Sequence, residues 1–291
     1  MEVQQTIKAT RSWSQRHRYQ GKSVGFVPTM GALHQGHLSL VRQARKDNDF
    51  VVVSVFVNPI QFAPNEDFDN YPRKFRLDLD LLEKECVDLV FAPSSEEMYP
   101  QDDNRMNQTW LDVVGPITEG LCSTSRPTFF RGVTTVVAKL FNIVQPKRAY
   151  FGWKDAQQLA AIRQMVNDLN FDLEVIGLPI VREDDGLAMS SRNVYLTKDE
   201  RQEAKMVYQS LELAKSQILR GGQSVKKITD EMKLLVEDSP LIRIDYITIV
   251  SSQTFSLISE LEHGQDILIA IAAYVGNTRL IDNFRLKVPQ F

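Results

Sequence analysis

The sequence predicts an α/β protein, a Rossmann-like doubly wound parallel sheet followed by a smaller α+β C-terminal domain with an antiparallel sheet. Short apolar runs alternate with helix-length segments over the first 181 residues, the pattern of a parallel sheet with crossover helices. One of these runs, Phe50–Val57 (FVVVSVFV), is almost unbroken, as expected of a strand buried on both faces. Beyond residue 181, strand-like segments follow one another without helices between them, which suggests antiparallel pairing.

Val24–Pro28 is the first strand, followed by a turn-rich stretch, Thr29–Gly36. A helix then places Leu38, Val41 and Ala44 at three-residue spacing. After Phe50–Val57 come a helix over Lys74–Glu85 and a strand over Val87–Phe91. Gly132–Val144 is an apolar helix stopped by Pro146, and Arg148–Phe151 is a brief strand. Asp155–Leu169 is amphipathic, with Leu159, Ile162, Val166 and Leu169 on one face, and Leu173–Val181 completes the set. Two helices follow, Lys198–Arg220, ended by Gly221-Gly222, and Ser224–Glu237. Arg243–Val250, Asp266–Tyr274 and Arg279–Asn283 are the final strands. The change of pattern sets a domain boundary at 181, giving domains 1–181 and 182–291.

Composition limits the function classes. The 291 residues are 43% apolar and 24% charged, too hydrophobic for a disordered chain. With 34 basic and 37 acidic side chains the formal charge is −3, which argues against a nucleic-acid partner. Cys86 and Cys122 make no disulfide framework, and the opening MEVQQTIKATRSW lacks the apolar run of a signal peptide. No stretch is apolar enough to cross a bilayer. The expectation is a cytoplasmic protein with no membrane association.

The chemistry concentrates where the first strand ends. Met30-Gly31-Ala32-Leu33-His34-Gln35-Gly36-His37 puts two histidines three positions apart at the start of a helix. Ligands of open α/β sheets sit at the carboxyl ends of strands, and a helix N-terminus offers N–H donors suited to phosphate. Two imidazoles there can hydrogen-bond phosphate oxygens as charge builds in phosphoryl or nucleotidyl transfer. The same motif alone fits a capped helix with surface histidines, and zinc would need a third ligand. A second cluster, Gly186 to Asn193, sets Ser190 and Ser191 beside Arg192 in a polar loop; it suits a triphosphate or, equally, a solvated connection.

Together the two clusters resemble the nucleotidyltransferase superfamily with HIGH and KMSKS signatures. More closely, the chain resembles the pantoate–β-alanine ligase (pantothenate synthetase) family. The motifs that carry this are PTMGALHQGH at 28–37, VFVNPIQFAPNEDFDNYPR at 55–73 and FRGVTTVVAKLFNIVQP at 130–146. FGWKDAQQL at 151–159 and VREDDGLAMSSRNVYL at 181–196 continue it. The chain departs from the family at Trp153, commonly Glu or Gln, and at Phe129 or Phe130, often His.

The resemblance implies that ATP and (R)-pantoate give pantoyl adenylate and pyrophosphate, and that β-alanine then forms pantothenate and AMP. It implies Mg²⁺ with the ATP, ligands unassigned, and a homodimer. His34, His37, Lys154 and Arg192 would be catalytic. ATP would be bound by residues 30–37, by Gly152, Trp153, Lys154 and Asp155, by Val181, and by Met189, Ser190, Ser191 and Arg192. Gln61 and Gln158 would read the pantoate hydroxyls or β-alanine, with Pro28, Met30 and Phe62 as an apolar wall. The C-terminal domain would close over ATP, with Gly186 as a flexible point, although a plain surface turn explains that glycine equally well. Asp78 would take part in magnesium binding, although a carboxylate on a charged helix is ordinarily just solvated. Two alternatives stand beside this reading: another adenylate-forming enzyme with a different acceptor, and a non-catalytic nucleotide-binding protein.

Overall fold

The structure is a computed structural model that describes residues 1–64, 66–100 and 109–290; position 65, inside the 55–73 motif, lies outside them. The chain divides into two units. One comprises Met1–Val113, Arg126–Trp153 and Ala161–Pro179; the other comprises Val114–Ser125, Lys154–Ala160 and Ile180–Phe291.

The first unit is built from β1 (Glu2–Gln4), α1 (Ile7–Tyr19), β2 (Val24–Thr29), α2 (Gln35–Asp47) and β3 (Phe50–Val55). It continues with α3 (Phe75–Lys84), β4 (Leu89–Phe91) and α4 (Ser95–Met98). The short α5 (Cys122–Ser125) belongs to the second unit, after which α6 (Phe129–Val144) and β5 (Arg148–Gly152) return to the first. α7 (Ala156–Asp168) is shared between the two, and β6 (Glu174–Leu178) closes the first. The six strands lie in the order β1-β4-β3-β2-β5-β6, and every neighbouring pair is parallel. Phe26, Val27, Val51, Val52, Val53 and Val90 are fully buried, which is why these strands read as apolar runs without alternation. From β2 the chain passes through β3 to β4 on one side, then through β5 to β6 on the other. The carboxyl end of β2 therefore sits at the topological switch point, where open α/β sheets bind ligands.

The second unit carries α8 (Lys198–Glu203), α9 (Lys205–Leu219) and α10 (Val225–Glu237), then β7 (Ile242–Ser251), β8 (Asp266–Val275) and β9 (Thr278–Lys287). The three strands form an antiparallel sheet in the order β7-β8-β9. Its core joins Val207, Leu211 and Ile218 of α9 and Met232 of α10 to Ile267, Ile269 and Ile271 of β8. The parallel sheet and the separate antiparallel sheet are the architecture predicted from sequence.

The local departures have physical causes. The helix expected over Lys198–Arg220 is two helices. Val207 donates to the carbonyl of Ala204, three residues back, so the ladder breaks there although the apolar periodicity runs on. Leu169 was expected on the buried face of α7 but is half exposed. The helix stops at Asp168 and Asn170 turns left-handed (φ 51°), so Phe171 packs on Phe141 instead. β1 and α1 carry no periodic apolar signal: β1 is a three-residue edge strand, and only Thr10, Trp13 and Ser14 of α1 are buried.

Candidate active site

The histidine motif forms the turn from β2 into α2. Gly31 (φ +80°) and Ala32 (φ +49°) both adopt the left-handed region, which reverses the chain just past the strand. Thr29 Oγ1 accepts from the Gly31 N–H (3.1 Å) and donates to the carbonyl of Ser54 (2.7 Å), tying the turn to β3. Asp78, on α3, accepts from the N–H groups of Ala32 (2.9 Å) and Leu33 (2.8 Å). The expectation of a solvated Asp78 is thus overturned: the residue is 2% exposed, because both its oxygens are occupied by the backbone of the loop. Burial raises its pKa above the ordinary carboxylate range, outweighing the opposing pull of the two N–H donors and of Lys74. Gly31 is also required sterically, since a Cβ there would stand 3.0 Å from Asp78 Oδ2 and 3.0 Å from Val55.

His34 is the N-cap of α2 and His37 its third residue, and they form a capping box. His34 Nδ1 accepts from the Gly36 N–H (3.1 Å), and His37 Nδ1 accepts from the His34 N–H (3.3 Å). The ring centroids are 4.1 Å apart. A ring nitrogen that accepts carries no proton, so each neutral imidazole holds its proton on Nε2. The capping reading offered by the sequence is thus realised through the Nδ1 atoms of both rings. Gln35 is exposed, with its carboxamide bonded to Arg42 (3.1 Å).

Gln61 lies in a 3-10 turn, Pro59–Gln61, after β3. It is buried: Oε1 accepts from Asn58 Nδ2 (3.0 Å), and Nε2 lies 3.2 Å from Met30 Sδ. Asn58 donates further to the Gly132 carbonyl (3.2 Å) and accepts from the Tyr99 hydroxyl (2.8 Å). Gly132 permits this approach, because a Cβ there would sit 2.5 Å from the Ile60 carbonyl oxygen. Phe62 packs on Phe68 and Tyr71. Gly152 ends β5, the strand beside β2, so it lies on the same edge of the sheet as the histidine turn. The Trp153 ring lies 5.0 Å from the Arg163 guanidinium. Phe129 and Phe130 are buried at the start of α6, with Arg126 stacked 3.8 Å over Phe129.

The other predicted site residues belong to the second unit. Lys154 and Asp155 form an ion pair at 3.8 Å, and Gln158 is half-buried on α7. Residues 181–189 form a small hairpin: Met189 donates to the Val181 carbonyl (3.0 Å) and Glu183 to that of Leu187 (2.8 Å). Of the two readings of Gly186, flexible point or plain turn, the structure has the residue in a turn packed on Tyr208. Its φ is +91°, and a Cβ would fall 2.1 Å from the Tyr208 ring. Ser190 caps a 3-10 turn, Ser191–Tyr195, its hydroxyl accepting from the Arg192 N–H (3.3 Å). Asn193 and Arg201 hold the segment further, through Glu183 (2.7 and 2.6 Å).

A cavity of about 830 Å³, lined in part by Ser23, Lys147 and Glu174, opens at the amino ends of β2, β5 and β6, opposite the histidine turn. Among the described residues there is no group of three or more His, Cys, Asp or Glu placed to hold a metal ion, and no helix is long and apolar enough to cross a membrane.

The family model for pantoate-beta-alanine ligase matches residues 2–285. A pantothenate synthetase of Thermotoga petrophila is 53% identical over 283 residues, 97% of this chain and 99% of that protein. The crystal structure of pantothenate synthetase from Thermus thermophilus superimposes with a TM-score of 0.91 at 45% identity, covering 100% of both chains. That of a pantoate-beta-alanine ligase from Francisella tularensis, complexed with beta-gamma ATP and beta-alanine, matches with a TM-score of 0.79 at 34% identity over 98% of this chain and 97% of that one. With the histidine turn, Gln61 and the Ser-Ser-Arg segment all falling inside the matched region, the chain belongs to the pantoate–beta-alanine ligase family.

Proposed function

We propose that the chain condenses (R)-pantoate with β-alanine in two half-reactions. The pantoate carboxylate attacks the α-phosphorus of ATP, forming pantoyl adenylate and expelling pyrophosphate. The neutral amine of β-alanine then attacks the acyl carbon of the mixed anhydride; AMP leaves and the amine proton is lost to solvent. The observation that carries this reading is the paired imidazoles at the switch point, in a chain that belongs to this family over almost its whole length.

The first half-reaction brings two anions together, so the protein must supply positive potential and orientation. His34 and His37 use their Nδ1 atoms to accept helix N–H groups, which puts the ring proton on Nε2, the donor proposed here for phosphate oxygens. Adenylation of a carboxylate needs no proton from the enzyme, so their work is electrostatic. Residues 30–37 hold the nucleotide, together with Gly152 and Trp153. From the second unit, Lys154 neutralises phosphate charge and Asp155 orients it or meets the ribose. Val181 meets the adenine through its backbone. Met189, Ser190, Ser191 and Arg192 hold the triphosphate. Gln61 and Gln158 bind pantoate, and Gln61 also lies near β-alanine. Mg²⁺ bound with ATP would neutralise charge on the phosphates, and no residue of this chain is assigned as its ligand. Domain 1–181 so carries the histidine turn, Gln61 and the Lys154–Gln158 stretch, the last of these within the second unit, and domain 182–291 the Ser-Ser-Arg segment. We place the reaction in the cytoplasm and the working form as a homodimer.

The test is isotope exchange between pyrophosphate and ATP. Exchange is expected with pantoate and magnesium present and β-alanine absent. Exchange that appears only when β-alanine is added would overturn the free-adenylate mechanism.

A further inference from the structure

We propose that Asp282 and Asn283, adjacent on β9, are positioning residues that hold the Lys154 segment and the hairpin leading to Ser190–Arg192 in one rigid frame. The inference rests on the nucleotide roles assigned above to Lys154 and Arg192. All the residues involved lie within the second unit.

Asn283 Nδ2 donates to the carbonyl of Lys154 at 2.9 Å. That carbonyl sits in the 3-10 turn Trp153–Asp155, where the chain has left β5 and has not yet entered α7. Its orientation is thus set by Asn283, and the direction in which Lys154 leaves the main chain is set with it. Asn283 itself is 5% exposed and its own backbone N–H donates to Asp282 Oδ1 (2.7 Å). Asp282, 2% exposed, accepts a two-pronged pair of bonds from Arg182, 2.6 Å from Nη1 and 3.1 Å from Nη2. Arg182 reaches back to the Gly186 carbonyl (3.0 Å) and to that of Asn283 (3.4 Å), and its guanidinium lies 4.4 Å from the Tyr208 ring. One dipeptide therefore grips two segments that both carry proposed phosphate ligands.

The chemistry argues for positioning rather than for stability alone. A buried ion pair contributes little net stability over an apolar pair of the same volume, because both charges must be desolvated. What it does supply is direction, since a planar guanidinium fork on a carboxylate admits one geometry. Lys154 also bears on Asp282 electrostatically, favouring its ionised form against burial, which raises its pKa. The lysine and the frame that holds it are coupled in charge as well as by hydrogen bonds.

The test is a double-mutant cycle in the intact chain, read by pantoate-dependent pyrophosphate exchange. Asn283→Ala is expected to slow exchange by about 10- to 100-fold, the range for small misplacement of a catalytic group, with the thermal midpoint lowered by several degrees at most. Lys154→Ala with Asn283→Ala is expected to be no slower than Lys154→Ala alone, because Asn283 acts through Lys154. Multiplying losses, or a wild-type rate in Asn283→Ala, would overturn the positioning role while leaving the nucleotide role of Lys154 intact. A wild-type rate in Lys154→Ala would overturn that underlying role, and the inference with it. Should Asn283→Ala fail to fold, Asn283→Ser, whose hydroxyl is too short to replace the carboxamide, is put through the same cycle and judged by the same outcomes.

Discussion

Asp78 offers the sharpest separation of stability from function, because one buried carboxylate holds the histidine turn by two backbone N–H groups, at 2.9 and 2.8 Å. Asp78→Asn keeps the shape but offers one acceptor in place of two and sets an NH₂ group against the second N–H. Leaving that donor unmet costs about 1–3 kcal/mol. The exchange also removes a charge whose burial raises the folded pKa, so part of the loss is offset. The sign of the pH effect follows from the same shift. A carboxyl whose pKa is higher folded than unfolded binds its proton more tightly in the folded state. Its contribution to stability is full below the ordinary carboxylate pKa and is lost as the pH rises through the raised value. The wild-type protein should therefore gain on the Asp78→Asn variant as pH falls through that value.

Denaturant titration should accordingly place Asp78→Asn within about 2 kcal/mol of wild type at neutral pH. Pyrophosphate exchange should nevertheless fall by about 10²-fold, since Ala32 and Leu33 carry the turn that aims His34. Asp78→Ala, which orphans both donors, should cost about 1–3 kcal/mol for each of them. Full exchange activity in Asp78→Asn, or a stability gap that fails to move with pH, would refute the reasoning.

His34→Asn should keep the cap of α2, because Asn caps helices as well as any residue, yet slow exchange by about 10²–10³-fold; His37→Ala should fall in the same range. An active His34→Asn protein would reduce the imidazole to a cap. Gly132→Ala should destabilise the protein by about 1–3 kcal/mol, as overpacking does, because its Cβ would meet the Ile60 carbonyl oxygen at 2.5 Å. Since the displaced turn carries Gln61, the KM for pantoate should rise more than that for ATP; an unchanged pantoate KM would disconnect Gln61 from that substrate. Sedimentation of the intact chain should give twice the 33.3 kDa monomer mass, and a monomer at assay concentrations would remove the dimer from the proposal.

How far each feature was legible in the sequence follows from the kind of force that fixes it. β2, β3 and β4 were readable because burial on both faces leaves an apolar run that no loop tolerates. The histidine turn was readable because its parts are contiguous: the glycine with positive φ, the N-cap and the third helical residue lie within seven positions. β1 was not readable, since a three-residue edge strand gains its place by pairing with β4, some 87 residues away. Asp78 and Asn283 fall in the same class. Each is a polar side chain whose partner is a backbone group, at a sequence separation of 45 or 46 residues for Asp78 and 129 for Asn283. Backbone N–H and C=O groups are the same at every position, so nothing in the partner's identity marks the pairing. A charged residue on a helix such as α3 is ordinarily solvated, and only the tertiary arrangement brings the backbone N–H groups of the turn within its reach. The residues that form a reacting surface leave a motif, while the residues that aim them leave a bond to an anonymous peptide group. In this chain the residues to test for positioning are therefore buried polar side chains bonded to the backbone of motif segments, as Asp78 and Asn283 are.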